Sequence, residues 1–121
     1  MALTSTTSTQ AVVNHHLERF FARDMQGVVA DYAPHAVMIV PTGVLRGVHE
    51  IRSLFQGLIA EFAKPGATFD LQQQEIDGDV AYIRWVAETA DNTYDLGTDT
   101  FLVKHGKIVV QTFAFKTTPK G

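Results

Sequence analysis

The chain has 121 residues and no cysteine, is 45% apolar and 19% charged, and carries a net charge of −3 from 10 basic and 13 acidic residues. That length suits one domain with a single core, burying roughly two-thirds of the surface of the unfolded chain. The composition excludes disulfides, thiolate metal sites and a cysteine nucleophile, and the lack of any basic run or stripe speaks against nucleic-acid binding.

No apolar run reaches the roughly 18 residues of a membrane span. The opening "MALTSTTSTQ" has neither the basic nor the apolar region of a secretory signal. The expectation is a soluble protein in the cytoplasm, in contact with neither membrane nor nucleic acid. Residues 1–9 are rich in Ser and Thr and are expected to form a flexible N-terminus, with Ser8 or Thr9 as a helix cap. From Gln10 to Ala22 the apolar residues Val13, Leu17, Phe20 and Phe21 fall at helical spacing. Asp24 can cap a second, short helix over "MQGVVADY", which Pro34 ends. "AVMIVP" reads as a short buried strand and "TGVLRG" as a turn and connection. The clearest helix runs from Val48 to Ala63, with Ile51, Leu54, Phe55, Leu58, Ile59 and Phe62 on one side, and "KPG" stops it.

Everything after Ala67 reads as strand, broken by turn residues at 77–79, 91–92 and 105–106. Helices first and a long antiparallel meander after them make an α+β domain over residues 10–119, with helices on one face of a curved sheet. Strand parity then assigns the faces. Ala81, Ile83, Trp85 and Ala87 share one face; Asp99 travels with Phe101 and Val103, and Gln111 with Phe113 and Phe115. The aromatic faces should look at the helices, so a carboxylate and an amide point inward. His16 lies three residues after Val13 and four before Phe20, on the buried stripe of the first helix.

A pocket walled by Phe20, Met38, Phe55, Trp85, Phe101, Phe113 and Phe115 would surround these polar groups. An apolar cavity with a few convergent polar groups is the usual form of a small-ligand site. Among aromatic rings the Asp99 carboxylate would lose solvation, which raises its pKa towards that of a neutral acid near pH 7; a protonated His16 close by would reverse the shift and make the pair ionic. With His16 it would form an acid/base pair, while Gln111 and Tyr32 would orient the ligand. Tyr82, Arg84 and Glu88 face outward, so no arginine stands between two inward acids as an epoxide hydrolase would require. His35, His49 and His105 have no metal-ligand spacing, and Gly43, Gly47 and Gly57 form no phosphate loop, so neither metal nor cofactor is expected.

Three stretches carry a resemblance: "GVVADYAPHAVMIVPTG", "LRGVHEIRSLF" and "TDTFLVKHGKIVVQTFAF". Through them the chain resembles the NTF2-like superfamily, in its SnoaL-like and ketosteroid-isomerase-like branch, over residues 10–117. The resemblance implies a cone-shaped half-barrel with a deep pocket, commonly dimeric through the outer sheet face. Ketosteroid isomerase works with a base aspartate and an oxyanion hole made by a tyrosine and a protonated aspartate. Its tyrosine position falls here on His16, its base position on Val40 and its oxyanion aspartate on Asp99, while Tyr32 matches a supporting tyrosine and Phe55 replaces another. Valine moves no proton, so steroid isomerisation by the family mechanism is not expected. The expectation is acid/base chemistry on a small apolar carbonyl or hydroxyl compound, with Val40 on the pocket wall. A non-catalytic ligand-binding or protein-interaction domain of the same fold is the alternative. A homodimer is expected through the outer face that carries Thr98, Thr100, Leu102, Thr112 and Ala114.

Overall fold

Helix α1 spans Thr6–Phe21 and begins ahead of the expected Gln10. The structure, a computed structural model, describes residues 6–121, so the expectation of a flexible start for residues 1–5 lies outside the described residues. Thr9 is no cap. It is buried within α1 and its hydroxyl donates to the Gly78 carbonyl at 2.6 Å, an acceptor from a distant hairpin that local sequence does not reveal. Helix α1 ends with Arg23 N–H donating to the Phe20 carbonyl and Asp24 N–H to the Arg19 carbonyl, at 3.0 and 2.9 Å. Those two bonds make a Schellman motif, in which Arg23 (φ 60°) takes the left-handed position where glycine is usual. A side chain there costs about 1 kcal/mol.

Asp24 caps helix α2 (Met25–Ala30) as expected, accepting from Gly27 N–H at 3.0 Å. The helix stops at Ala30 because strand β1 (Tyr32–Val40) starts before Pro34 rather than after it. The residue before a proline prefers extended backbone. The register of β1 also breaks between Tyr32 and Val37, where Pro34 and its missing N–H can sit without interrupting the ladder. "TGVLRG" holds a strand as well as a turn: β2 (Gly43–Arg46) folds back on β1. Helix α3 (Gly47–Ala63) follows, burying Ile51 and Phe55.

Strands β3 (Thr68–Asp77), β4 (Val80–Glu88), β5 (Asn92–Lys104) and β6 (Lys107–Pro119) form the antiparallel meander. The turn at 105–106 has φ values of 52° at His105 and 76° at Gly106, the paired positive angles that match strand twist in a tight hairpin. One pairing departs from the meander: β1 lies parallel to β6, giving the sheet order β2-β1-β6-β5-β4-β3. Breaks in register at Leu71/Gln73, Trp85/Ala87 and Tyr94/Leu96 mark bulges in the meander, and bulges bend strands. The curved, unclosed sheet cups α1 and α3 against its inner face, and the parity reading of that face holds: Ile83, Trp85, Asp99, Phe101, Gln111 and Phe113 are all buried. Phe115 is the exception. It is 38% exposed and packs on Phe113 and Tyr94 at the end of β6, beyond the helices' cover.

Candidate functional site

Helix α1 carries His16 inward on the stripe shared with Val13 and Phe20, and the ring ends 4% exposed. Edge-to-face contacts hold it against Tyr32, Phe55 and Phe101, with centroids 5.3, 5.4 and 5.9 Å away. From the sheet, β5 delivers Asp99, 6% exposed, between its neighbours β4 and β6. Each neighbour supplies one donor. Trp85 Nε1–H reaches Asp99 Oδ2 at 2.8 Å, and Gln111 Nε2–H reaches Oδ1 at 2.9 Å.

These groups meet at a cavity of about 60 Å³. His16, Asp99 and Gln111 are its polar lining; Phe20, Phe55, Trp85, Phe101 and Phe113 are apolar walls that parity and periodicity had indicated. Leu17, Phe21, Leu58, Phe62, Phe69 and Ile83 complete the wall. All but Phe69 lie on apolar stripes legible in the sequence; Phe69, on β3, showed no clear alternation. Four expected contacts lie elsewhere. Met38 is in the core, fully buried; Val40 packs at the edge of that core; Phe115 sits past the helices; and Tyr32 stands behind His16 and Gln111.

Burial pushes the Asp99 carboxyl up to about 6, against smaller opposing pulls from the Trp85 and Gln111 hydrogen bonds and the charge of His16. That places its proton loss close to neutral pH, with the carboxylate as the form that the Trp85 and Gln111 donors stabilise. Burial, with Asp99 and Asp31 nearby, holds the Tyr32 hydroxyl well above its ordinary range, so it stays a donor.

The ionised carboxylate sets the direction of a hydrogen-bond chain. Gln111 must turn its amide N–H to Asp99, so its Oε1 faces Tyr32 and accepts the phenolic proton. Tyr32 has no second proton, so its oxygen can only accept from His16 Nε2–H, 3.3 Å away. In its neutral form the ring then carries its proton on Nε2. His16 Nδ1 is left bare, without a hydrogen-bond partner, 3.5 Å from Asp31 Oδ2. Asp31 itself accepts from His15 Nδ1–H at 2.9 Å. His16 and Asp99 thus share the cavity but are joined through Tyr32 and Gln111 rather than directly. Asp31 is the participant that the sequence did not reveal, because a lone aspartate at a helix end carries no signal.

The architecture defines a class: an α+β half-barrel whose sheet and helices enclose a small, mostly apolar cleft around an inward acid. The sequence pattern of the SnoaL-like domain family matches residues 13–111, and the chain belongs to that family. An NTF2-like protein of unknown function from Mesorhizobium loti has the same fold, with TM-score 0.77, 25% identity, and 92% of this chain and 93% of that one covered. A protein from Kribbella flavida provisionally labelled ketosteroid isomerase superposes with TM-score 0.77 at 15% identity, covering 98% and 84%. One from Sinorhizobium meliloti provisionally labelled polyketide cyclase gives 0.70 at 20%, covering 85% and 93%. No curated protein sequence matches the chain. Among the described residues, no helix is long and apolar enough to cross a membrane.

Proposed function

We propose that the protein is a cofactor-independent acid/base enzyme acting on a small apolar carbonyl or hydroxyl compound, of isomerase, dehydratase or cyclase type. One observation carries this reading: a desolvated carboxyl, raised to about 6, faces a cleft that is otherwise aromatic. A base is most effective when its pKa lies near the working pH. In the proposed reaction Asp99 takes a proton from the carbon beside a carbonyl. The C–H electron pair becomes the enolate π bond, and the proton returns either to another carbon or to a departing hydroxyl, which leaves as water. His16 and Gln111 line the same space to position the substrate oxygen, and Tyr32 braces both. Val40, in the place of the family's base, is away from the cavity, so steroid isomerisation by the family route is not part of this reading. That valine favours the second reading, a binding protein without turnover. The chain, free of cysteine, would work in the cytoplasm.

Trp85 is the only tryptophan and lines the cleft. Phenols should quench its emission saturably, with an affinity that changes around pH 6 in the wild type and is flat with pH in Asp99→Asn. The enzyme should also exchange the α-protons of 2-tetralone with D₂O, and Asp99→Asn should lower that rate by about a hundredfold or more. Saturable binding with no exchange would favour the second reading, and no response from Trp85 would sink both.

A homodimer through the outer sheet face is also proposed. Ile39 and Val44 pair across β1 and β2 and are 46% and 45% exposed, and Thr112 adjoins them on β6. Sedimentation velocity at micromolar concentration should show a dimer; a single monomer boundary would refute this.

A further inference from the structure

The cleft has an outer chamber of about 200 Å³, larger than the inner space at Asp99. The two share Phe20, Phe21, Phe62 and Phe69 as walls. These rings meet edge to face or tilted, from 4.7 Å (Phe21 to Phe69) to 6.2 Å (Phe21 to Phe62) between centroids. Phe21 is 43% exposed, so the outermost ring has room to swing. A compound with more than a few heavy atoms does not fit wholly beside Asp99. The adjoining chamber on the far side of these rings offers room for its remainder.

Arg23 is the one charged side chain among the residues lining that chamber. The nearby cations on the same two helix ends are neutralised: Arg19 by Glu18 and Asp24 at 3.1 and 3.3 Å, and Lys64 by Asp91 at 2.8 Å. Among the described residues Arg23 makes no ion pair. It gives one N–H to the Ala63 carbonyl at 3.1 Å, which sets the guanidinium between the ends of α1 and α3. A guanidinium has five N–H donors, so most of its fork remains available. The acid on the last turns of α3, Glu61, is occupied by Thr89, Asn92 and Tyr94 at 2.6, 3.0 and 3.0 Å. Arg23 also holds a left-handed backbone (φ 60°) where glycine would be relaxed.

We propose that the ligand is amphipathic with an anionic end. A carbonyl or hydroxyl head lies beside Asp99 and Gln111, an apolar body lies among the four shared phenylalanines, and a carboxylate pairs with Arg23 in the outer chamber. This rests on the cleft being a ligand site, as proposed above. The chain's net charge of −3 opposes anions in general, so any preference for one reports a local cation.

The test compares 3-(4-hydroxyphenyl)propionate with its amide, which has the same shape without the charge. Binding is followed by Trp85 emission at pH 8 and low salt. The acid should bind roughly three- to fivefold tighter than the amide, as expected for a solvent-facing ion pair. The advantage should shrink at high salt, disappear in Arg23→Gly and Arg23→Gln, and largely survive in Arg23→Lys. Arg23→Gly should melt no lower than wild type, because it relieves the left-handed strain; this separates loss of recognition from loss of fold. Equal binding of acid and amide to wild type, or a preference that persists in Arg23→Gly, would overturn the inference while leaving the inner cleft intact as a ligand site. If neither compound perturbs Trp85, the cleft reading and the inference fall together.

Discussion

Gly97→Ala is expected to destabilise the protein by roughly 3 kcal/mol or more. A Cβ on Gly97 would lie 2.3 Å from Cε2 and Cζ2 of Trp85 and 2.6 Å from Cη2, distances at which something must move. The backbone of β5 cannot retreat, because Gly97 is paired with Trp85 on β4 and with Phe115 on β6. The indole has little space either. Phe69, Tyr94 and Phe113 surround it with centroids 5.3, 5.6 and 6.2 Å away. Overpacking alone costs about 1–3 kcal/mol. Displacing the indole also withdraws its N–H from Asp99 Oδ2, and an unpaired buried acceptor costs about 1–3 kcal/mol more. The same loss should push the Asp99 carboxyl further up, since one donor to its charged form is gone. Urea denaturation measures the stability, with Gly57→Ala as control. Gly57 lies on the exposed side of α3 with open space around it, so that change should stabilise by up to about 1 kcal/mol. A Gly97→Ala protein as stable as wild type would show that the indole is not pressed against this strand.

Asp99→Asn is expected to stabilise the protein at neutral pH and to do nothing at low pH. The sign follows from the carboxyl's rise on folding from an ordinary 3.8 to about 6. Well below pH 4 the group is protonated in both states and costs nothing. As pH rises from about 4 to 6 the unfolded chain releases the proton first, and native stability falls. Above pH 6 the full penalty stands, on the order of 3 kcal/mol for two pKa units. Asparagine has the shape of the protonated acid and removes that penalty.

The hydrogen bonds can follow. With the oxygen of the substituted amide accepting from Trp85, its N–H donates to a turned Gln111. Gln111 then donates to Tyr32, Tyr32 to His16 Nε2, and His16 Nδ1–H points at Asp31. The whole chain reverses, and the bare Nδ1 gains a proton directed at a carboxylate. Two measurements check this. Melting of wild type and variant between pH 3 and 8 should show curves that meet at the acid end and separate above it. Imidazole ¹⁵N shifts at pH 8 should show the His16 proton on Nε2 in wild type and on Nδ1 in Asp99→Asn. A stability difference that does not vary with pH would mean that Asp99 is solvated in the native state. Stabilisation together with lost proton exchange is the trade-off expected where a carboxyl is kept buried for chemistry.

Much of this protein follows from periodicity, and periodicity is local. The stripe of Val48, Ile51, Phe55 and Phe62 can only be a helix facing a core, and the alternation of Ile83, Trp85 and Ala87 only a strand with one buried face. Parity alone therefore turned Asp99 and Gln111 inward and placed His16 opposite them. The left-handed pair at His105 and Gly106 is also written in two adjacent residues. Where the reading missed, the deciding contact was remote. Thr9 is held by Gly78, and β2 forms because β1 offers it an edge. Phe115 has inward parity but no helix above it.

The sequence by itself determined the class of the fold, the inner face of the sheet and the polar residues aimed into it, because those depend on spacing along one element. Tertiary structure decided how those residues speak to one another. Tyr32 and Gln111 are 79 positions apart and His16 and Tyr32 are 16 apart, yet their hydrogen bonds fix which nitrogen of His16 carries the proton. Only folding set Asp31 beside that ring, Arg23 at the mouth and a desolvated Asp99 at the centre. Burial and hydrogen-bond direction belong to the assembled core, and no single stretch of the chain contains them.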